Sequence, residues 1–119
     1  LEAFCKLHGL EDELTQNIML ATDEAVTNIV IHAYKEQNGK ITATFSLFEN
    51  QLVIELTDMG NPFHPKPKHF DKPKIDLDGT REGGFGLYII KKFVDELEYI
   101  HDETLGRNLM VLRKKITTQ

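Results

Sequence analysis

Asp23-Glu24-Ala25-Val26-Thr27-Asn28 is the stretch on which the reading of this chain turns. On a helix, positions i and i+4 share a face, so the carboxylate of Glu24 and the neutral carboxamide of Asn28 point into the same space. A carboxylate can polarise a water or a hydroxyl, and an amide oxygen can hold a hard cation such as Mg2+. The helix itself is legible around them. Leu14, Ile18, Ala21, Ala25, Ile29 and Ala33 recur at helical spacing, widened by Val26 and Val30, and predict a helix from Leu14 to about Tyr34. Glu11 to Glu13 place acid at its start, where the helix dipole favours it. Upstream, Leu1, Phe4, Cys5 and Leu7 predict a short helix ended by Gly9.

Downstream the period changes. Ile41, Ala43, Phe45 and Leu47 alternate with Thr42, Thr44 and Ser46. That is a half-buried strand from Lys40 to Phe48. After a short turn at Glu49-Asn50-Gln51, Leu52, Ile54 and Leu56 alternate again, and the two strands should form an antiparallel hairpin. From Gly60 to Gly83 no period persists, and all four prolines fall there. A stretch of that length within a compact domain is usually functional or disordered, and we read it as a mobile lid. Leu87, Ile90, Val94 and Leu97 predict a helix to about Leu97, Glu98 to His101 a strand, Asp102 to Gly106 a turn, and Asn108 to Ile116 a closing strand.

The bulk numbers bound the function. A chain of 119 residues with 40% hydrophobic residues fits one domain with a real core, taken as 1–119. Net charge is −5 and no basic stripe is visible, which speaks against a nucleic-acid-reading role. An acidic balance does not forbid an anionic ligand, because local backbone donors and a bound cation can outweigh net charge. Cys5 is alone, so no disulfide forms within the chain, which suits a reducing cytoplasm. No apolar run approaches the ~20 residues that span a bilayer, and no secretory pattern opens the chain. The chain begins at Leu1 without an initiator Met and is expected to belong to a longer polypeptide.

Taken singly, each candidate site has a plainer explanation. A solvated helix face accounts for Glu24 and Asn28, with Asp23 a partner or mere surface charge. His32 fits a partly buried histidine bonded to backbone. Asp58-Met59-Gly60-Asn61-Pro62 follows a strand, and its carboxylate could accept a hydrogen bond from an exocyclic amine such as adenine N6; a simple turn has the same composition. Gly83-Gly84-Phe85-Gly86 opens a helix, where converging backbone N–H groups suit phosphates, and a flexible hinge would look alike. It matches neither a P-loop nor a Rossmann fingerprint. Arg81 could pair with a terminal phosphate or stand solvated. The joint occurrence of helix pair, strand-end Asp-x-Gly, lid and glycine-opened helix, in that order, outweighs the separate explanations.

These residues resemble a known family. Asp23 to Tyr34 is similar to the N box of the GHKL (Bergerat-fold) ATPases, in particular the branch of anti-sigma factor serine/threonine kinases. Asp58-Met59-Gly60-Asn61-Pro62-Phe63 resembles the first glycine box of that branch, and Gly83 to Glu96 its second glycine box and following helix. The resemblance implies an α/β (α+β) fold: a two-layer sandwich with a mixed, mostly antiparallel sheet covered on one face by helices. It implies ATP and Mg2+ as ligands. Asn28 would coordinate Mg2+, Glu24 would act as base on the attacking hydroxyl, Asp58 would bind the adenine amine, Gly60 would give the ring room, and Gly84 and Gly86 would wrap the phosphates. Kinase members carry Gly-Thr-Thr before the last strand, with hydroxyls that aid adenine binding. Here the segment is Gly106-Arg107-Asn108, and Asn108 is the candidate substitute. The family also begins with a strand ahead of its first helix, so an upstream segment is expected.

The function so implied is a cytoplasmic serine-kinase-like regulator. It would phosphorylate an anti-anti-sigma protein of the STAS type, capture a sigma factor, and form a homodimer, without contacting nucleic acid or membrane. The alternative is a non-catalytic, ATP-sensing binding module, including a domain of a larger phosphatase or receiver-containing protein, since such proteins share the same boxes.

Overall fold

The long apolar stripe folds as expected, with a change at its end. The computed structural model describes residues 1–34, 39–62, 74–75, 81–82 and 87–116. Helix α1, Glu2–Leu7, precedes helix α2, Asp12–Asn28, which buries Ile18, Ala21 and Ala25 on one face. Gly9, at φ +70°, adopts the left-handed conformation that closes α1, and the N–H of Leu10 reaches back to the carbonyl of Cys5 at 3.0 Å. The expected continuation of α2 to Tyr34 is corrected here. Ile29–Ala33 forms a π turn, closed by Tyr34 N–H donating to Ile29 O at 3.1 Å. Ile29 and Ala33 stay buried, so the wider turn keeps the apolar stripe on the core.

Strands β1, Ile41–Phe48, and β2, Gln51–Asp58, make the expected antiparallel hairpin. Its two-residue turn holds Glu49 at φ 49° and Asn50 at φ 63°, the left-handed pair that matches strand twist. Short strands β3, Lys74–Ile75, and β4, Arg81–Glu82, pair antiparallel inside the stretch read as a lid. The rest of that stretch, and Gly83 to Gly86, lie outside the described residues. Helix α3 spans Leu87–Phe93, then strands β5, Glu96–Asp102, and β6, Arg107–Lys115, follow. Leu97, expected on the helix, instead pairs with Leu112 across β5 and β6. Leu97, Tyr99 and His101 alternate with exposed neighbours, and the strand period prevails over the helical one.

The main sheet runs β1-β2-β6-β5, and every pairing among the described strands is antiparallel. One face carries the helices. On that face the register builds rows: Phe45, Ile54, Leu112 and Leu97; then Ala43, Leu56, Met110 and Tyr99. Ile54, Leu56, Met110 and Leu112 are buried against Ile18, Ala21, Ala25, Leu87 and Ile90. Burying each large aliphatic side chain stabilises by about 1.5–3 kcal/mol, so this contact is the main source of stability. The next row is Ile41, Asp58, Asn108 and His101, and it is polar. The same two-residue period that builds the core therefore carries three polar side chains into its end.

Candidate functional site

Asp58 is the last residue of β2 and follows Leu52, Ile54 and Leu56 on the inward face. It is 2% exposed. A carboxylate so enclosed must be hydrogen-bonded. Its Oδ1 accepts from the Gly60 N–H at 2.9 Å and from Asn108 Nδ2 at 2.8 Å. Asn108 stands opposite Asp58 in the register and is fully buried. Its nitrogen also donates to Gly60 O at 3.0 Å, and its Oδ1 meets His101 Nδ1 at 2.6 Å.

Asn28 reaches the same place from the opposite layer. It ends α2 and is 2% exposed. Asn28, Ile29 and Ala33 from the helical layer and Asp58, Tyr99 and Met110 from the sheet line one cavity of ≈ 10 Å³, about the room of a single water. The other buried polar side chains of α2 are satisfied: Thr15 and Thr22 donate to the carbonyls of Glu11 and Ile18. Asn28 Nδ2 finds no hydrogen-bond partner among the described residues. A buried amide N–H needs a partner, and the cavity beside Asn28 is where a water or a ligand would supply it. The π turn begins at the very next residue, and such turns gather at functional sites.

Gly60 is fixed by a close approach. A Cβ there would lie 2.5 Å from Ala33 O and 2.8 Å from Ala33 Cβ. Asn61 N–H donates to the same Ala33 carbonyl at 2.8 Å. The backbone after β2 thus rests directly on the π turn. Tyr34 adds a second tie: its hydroxyl donates to Lys40 O at 2.5 Å and accepts from Met59 N–H at 2.9 Å. Its ring occupies the space that a side chain at Gly39 would need.

The structure brings Asn28, Asp58, Gly60 and Asn108 together. Glu24 lies half-buried one turn before Asn28 on the same helix, beside the cavity's lining rather than in it. His32 is half-buried within the π turn. Arg81 is placed by its backbone, paired with Ile75. Gly84 and Gly86 lie outside the described residues. Two contributors were missed by sequence reasoning, His101 and Tyr34. The alternation Leu97, Tyr99, His101 could have marked His101 as inward-facing. Among the described residues no group of three or more His, Cys, Asp or Glu side chains could hold a metal ion. A neutral amide oxygen such as Asn28's instead suits Mg2+ carried in by a phosphate, because that ion keeps few protein ligands.

A buried, hydrogen-bonded carboxylate at a strand end thus faces a buried helix asparagine across a small cavity. The model of the histidine kinase-like ATPase domain matches residues 1–114, and the chain belongs to that family. The serine-protein kinase RsbW of Bacillus mycoides (strain KBAB4) is 38% identical over 95 residues, covering 74% of this chain and 58% of that protein. The serine-protein kinase RsbW of Bacillus cereus (strain AH820) is 39% identical over 93 residues, with the same coverage. The chain therefore spans somewhat more than half the length of these relatives. The expected family and two-layer fold both hold. No helix of the described residues is long and apolar enough to cross a membrane.

Proposed function

We propose that this chain is the ATP-binding, serine-phosphorylating domain of an anti-sigma regulator. The observation that carries the reading is the convergence of Asn28 and Asp58 on one cavity, with Asp58 held through Oδ1. Asp58 Oδ2 is the oxygen left to accept from the adenine amine. Gly60 and Asn108 hold that carboxylate in place. Asn28 offers its oxygen to Mg2+, which when bound would neutralise charge on the triphosphate. Glu24, a turn earlier, takes the proton of the attacking serine hydroxyl as the γ-phosphoryl leaves ADP and joins the serine oxygen. Arg81, Gly84 and Gly86 contribute the phosphate contacts. The catalytic demand is positioning and charge neutralisation, which a rigid polar row supplies.

The names of the relatives support a protein serine as acceptor. The family resemblance supports a STAS-type anti-anti-sigma protein as that acceptor, a sigma factor as the captured partner, and a cytoplasmic homodimer. Calorimetry with ATP and Mg2+ tests the pocket: Asp58→Asn should weaken binding by roughly tenfold or more, the loss of a charge-assisted hydrogen bond. Phosphate transfer from labelled ATP to the anti-anti-sigma partner tests the chemistry. Glu24→Ala should retain nucleotide and abolish transfer. A wild-type chain that binds ATP and transfers nothing would mark an ATP-sensing module instead.

A further inference from the structure

His101 closes the polar row at the sheet's edge. It sits half-buried on β5, opposite Asn108 in the register, with Nδ1 2.6 Å from Asn108 Oδ1. The other end of Asn108 sets the direction of this hydrogen bond. The amide nitrogen faces Asp58 Oδ1 at 2.8 Å and Gly60 O at 3.0 Å. The carbonyl has no proton to give, and Asp58 Oδ1 already accepts the Gly60 N–H. An amide turned the other way would set its oxygen against both. Its nitrogen is therefore committed, with both hydrogens spent. Asn108 Oδ1 can only accept, so His101 must donate from Nδ1. In the neutral ring that is the Nδ1–H tautomer, with Nε2 bare.

We infer that His101 is a positioning residue of the nucleotide site, its Nδ1–H pinning the Asn108 amide so that Asp58 keeps Oδ2 aimed at a 6-amino purine. The inference deepens the ATP-pocket reading and rests on it. A carboxylate oxygen attracts the amine of adenine and repels the carbonyl oxygen that hypoxanthine carries at the same ring position. Discrimination depends on the carboxylate not turning. Asp58 is held by Gly60 N–H and by the Asn108 amide, and the amide is held at its far end by His101. Without the His101 donor, Asn108 can rotate away and Asp58 loses one of its two restraints.

The test is calorimetry with ATP and with inosine triphosphate, each with Mg2+, on the wild-type chain, His101→Leu and His101→Asn. Asparagine places an amide N–H near the lost Nδ1–H. His101→Leu should lose roughly tenfold in ATP affinity while the inosine nucleotide changes by less than about twofold, and His101→Asn should recover most of the loss. A general loosening would lower both affinities together, and equal losses would overturn the inference while leaving the pocket standing. A wild-type chain that fails to prefer ATP sinks the pocket reading and this inference with it. Independently of any nucleotide or variant, 15N-detected NMR of the wild-type imidazole should show Nδ1 protonated; a proton on Nε2 with Nδ1 bare would also overturn it.

Discussion

At the scale of single residues, the proposed pocket would trade stability for binding. Asn28 is enclosed with an unsatisfied amide nitrogen, and it ends a helix in which alanine is the better former. Asn28→Ala should leave the unfolding free energy unchanged or raise it by about 1 kcal/mol, while nucleotide binding with Mg2+ is lost. Urea unfolding and calorimetry on the same sample check the two halves. Gly60 has the opposite character. Its missing Cβ would meet the Ala33 backbone at 2.5 Å, and backbone cannot swing aside as a side chain can. Gly60→Ala should cost roughly 1–3 kcal/mol of stability and displace the segment after β2. An unchanged urea midpoint would mean that the close approach to Ala33 is not needed.

At the scale of elements, the β1–β2 turn carries removable strain. Glu49 sits at φ 49°, where a side chain with a Cβ is disfavoured by roughly 1 kcal/mol or more. Glu49→Gly should raise stability by about 0.5–1 kcal/mol, after the extra entropy of the unfolded glycine is subtracted. The turn lies at the end of the sheet away from Asp58, so ATP affinity should stay the same. Element order was legible because two clean periods alternate along the chain: 3.6 through Leu14 to Ile29, and two through Ile41 to Leu56. The boundaries were less so. Leu97 satisfies a helical spacing with Val94 and a strand spacing with Tyr99 at once, and only pairing with Leu112 decides between them. The π turn left no trace in the pattern, because Ile29 and Ala33 remain inward either way. The β3–β4 ladder is two residues a side, too short to show a period. Asp58 and Asn28 could be found from composition and spacing, whereas His101 needed the register that sets it beside Asn108.

At the scale of the whole molecule, Cys5 reports on the integrity of the fold. It is fully buried, and burial lifts its thiol above the ordinary 9.0, against a smaller downward pull from the Thr15 hydrogen bond. A raised folded value means that the neutral thiol's contribution is complete below the unfolded value and is lost as pH climbs toward the folded one. Stability should therefore be flat with respect to this group up to about pH 8 and fall between about pH 9 and the raised value. Urea unfolding across that range checks it, and Cys5→Ala should show a shallower decline. A thiol reagent should label the native chain slowly, at a rate that tracks opening of α1 from α2.

The polar row also sets a rule of parity for the chain. Asn108 looks inward only because an even number of steps separates it from Met110 and Leu112 along β6. One residue gained or lost in 103–106, if absorbed by sliding β6 against β2, would turn Asn108 outward and expose the apolar side chains that follow it. The cost of that slip protects the polar row of Asp58, Asn108 and His101. A change of loop length there must be taken up within the loop itself, so the hydrophobic interior acts as proofreader for the placement of Asn108.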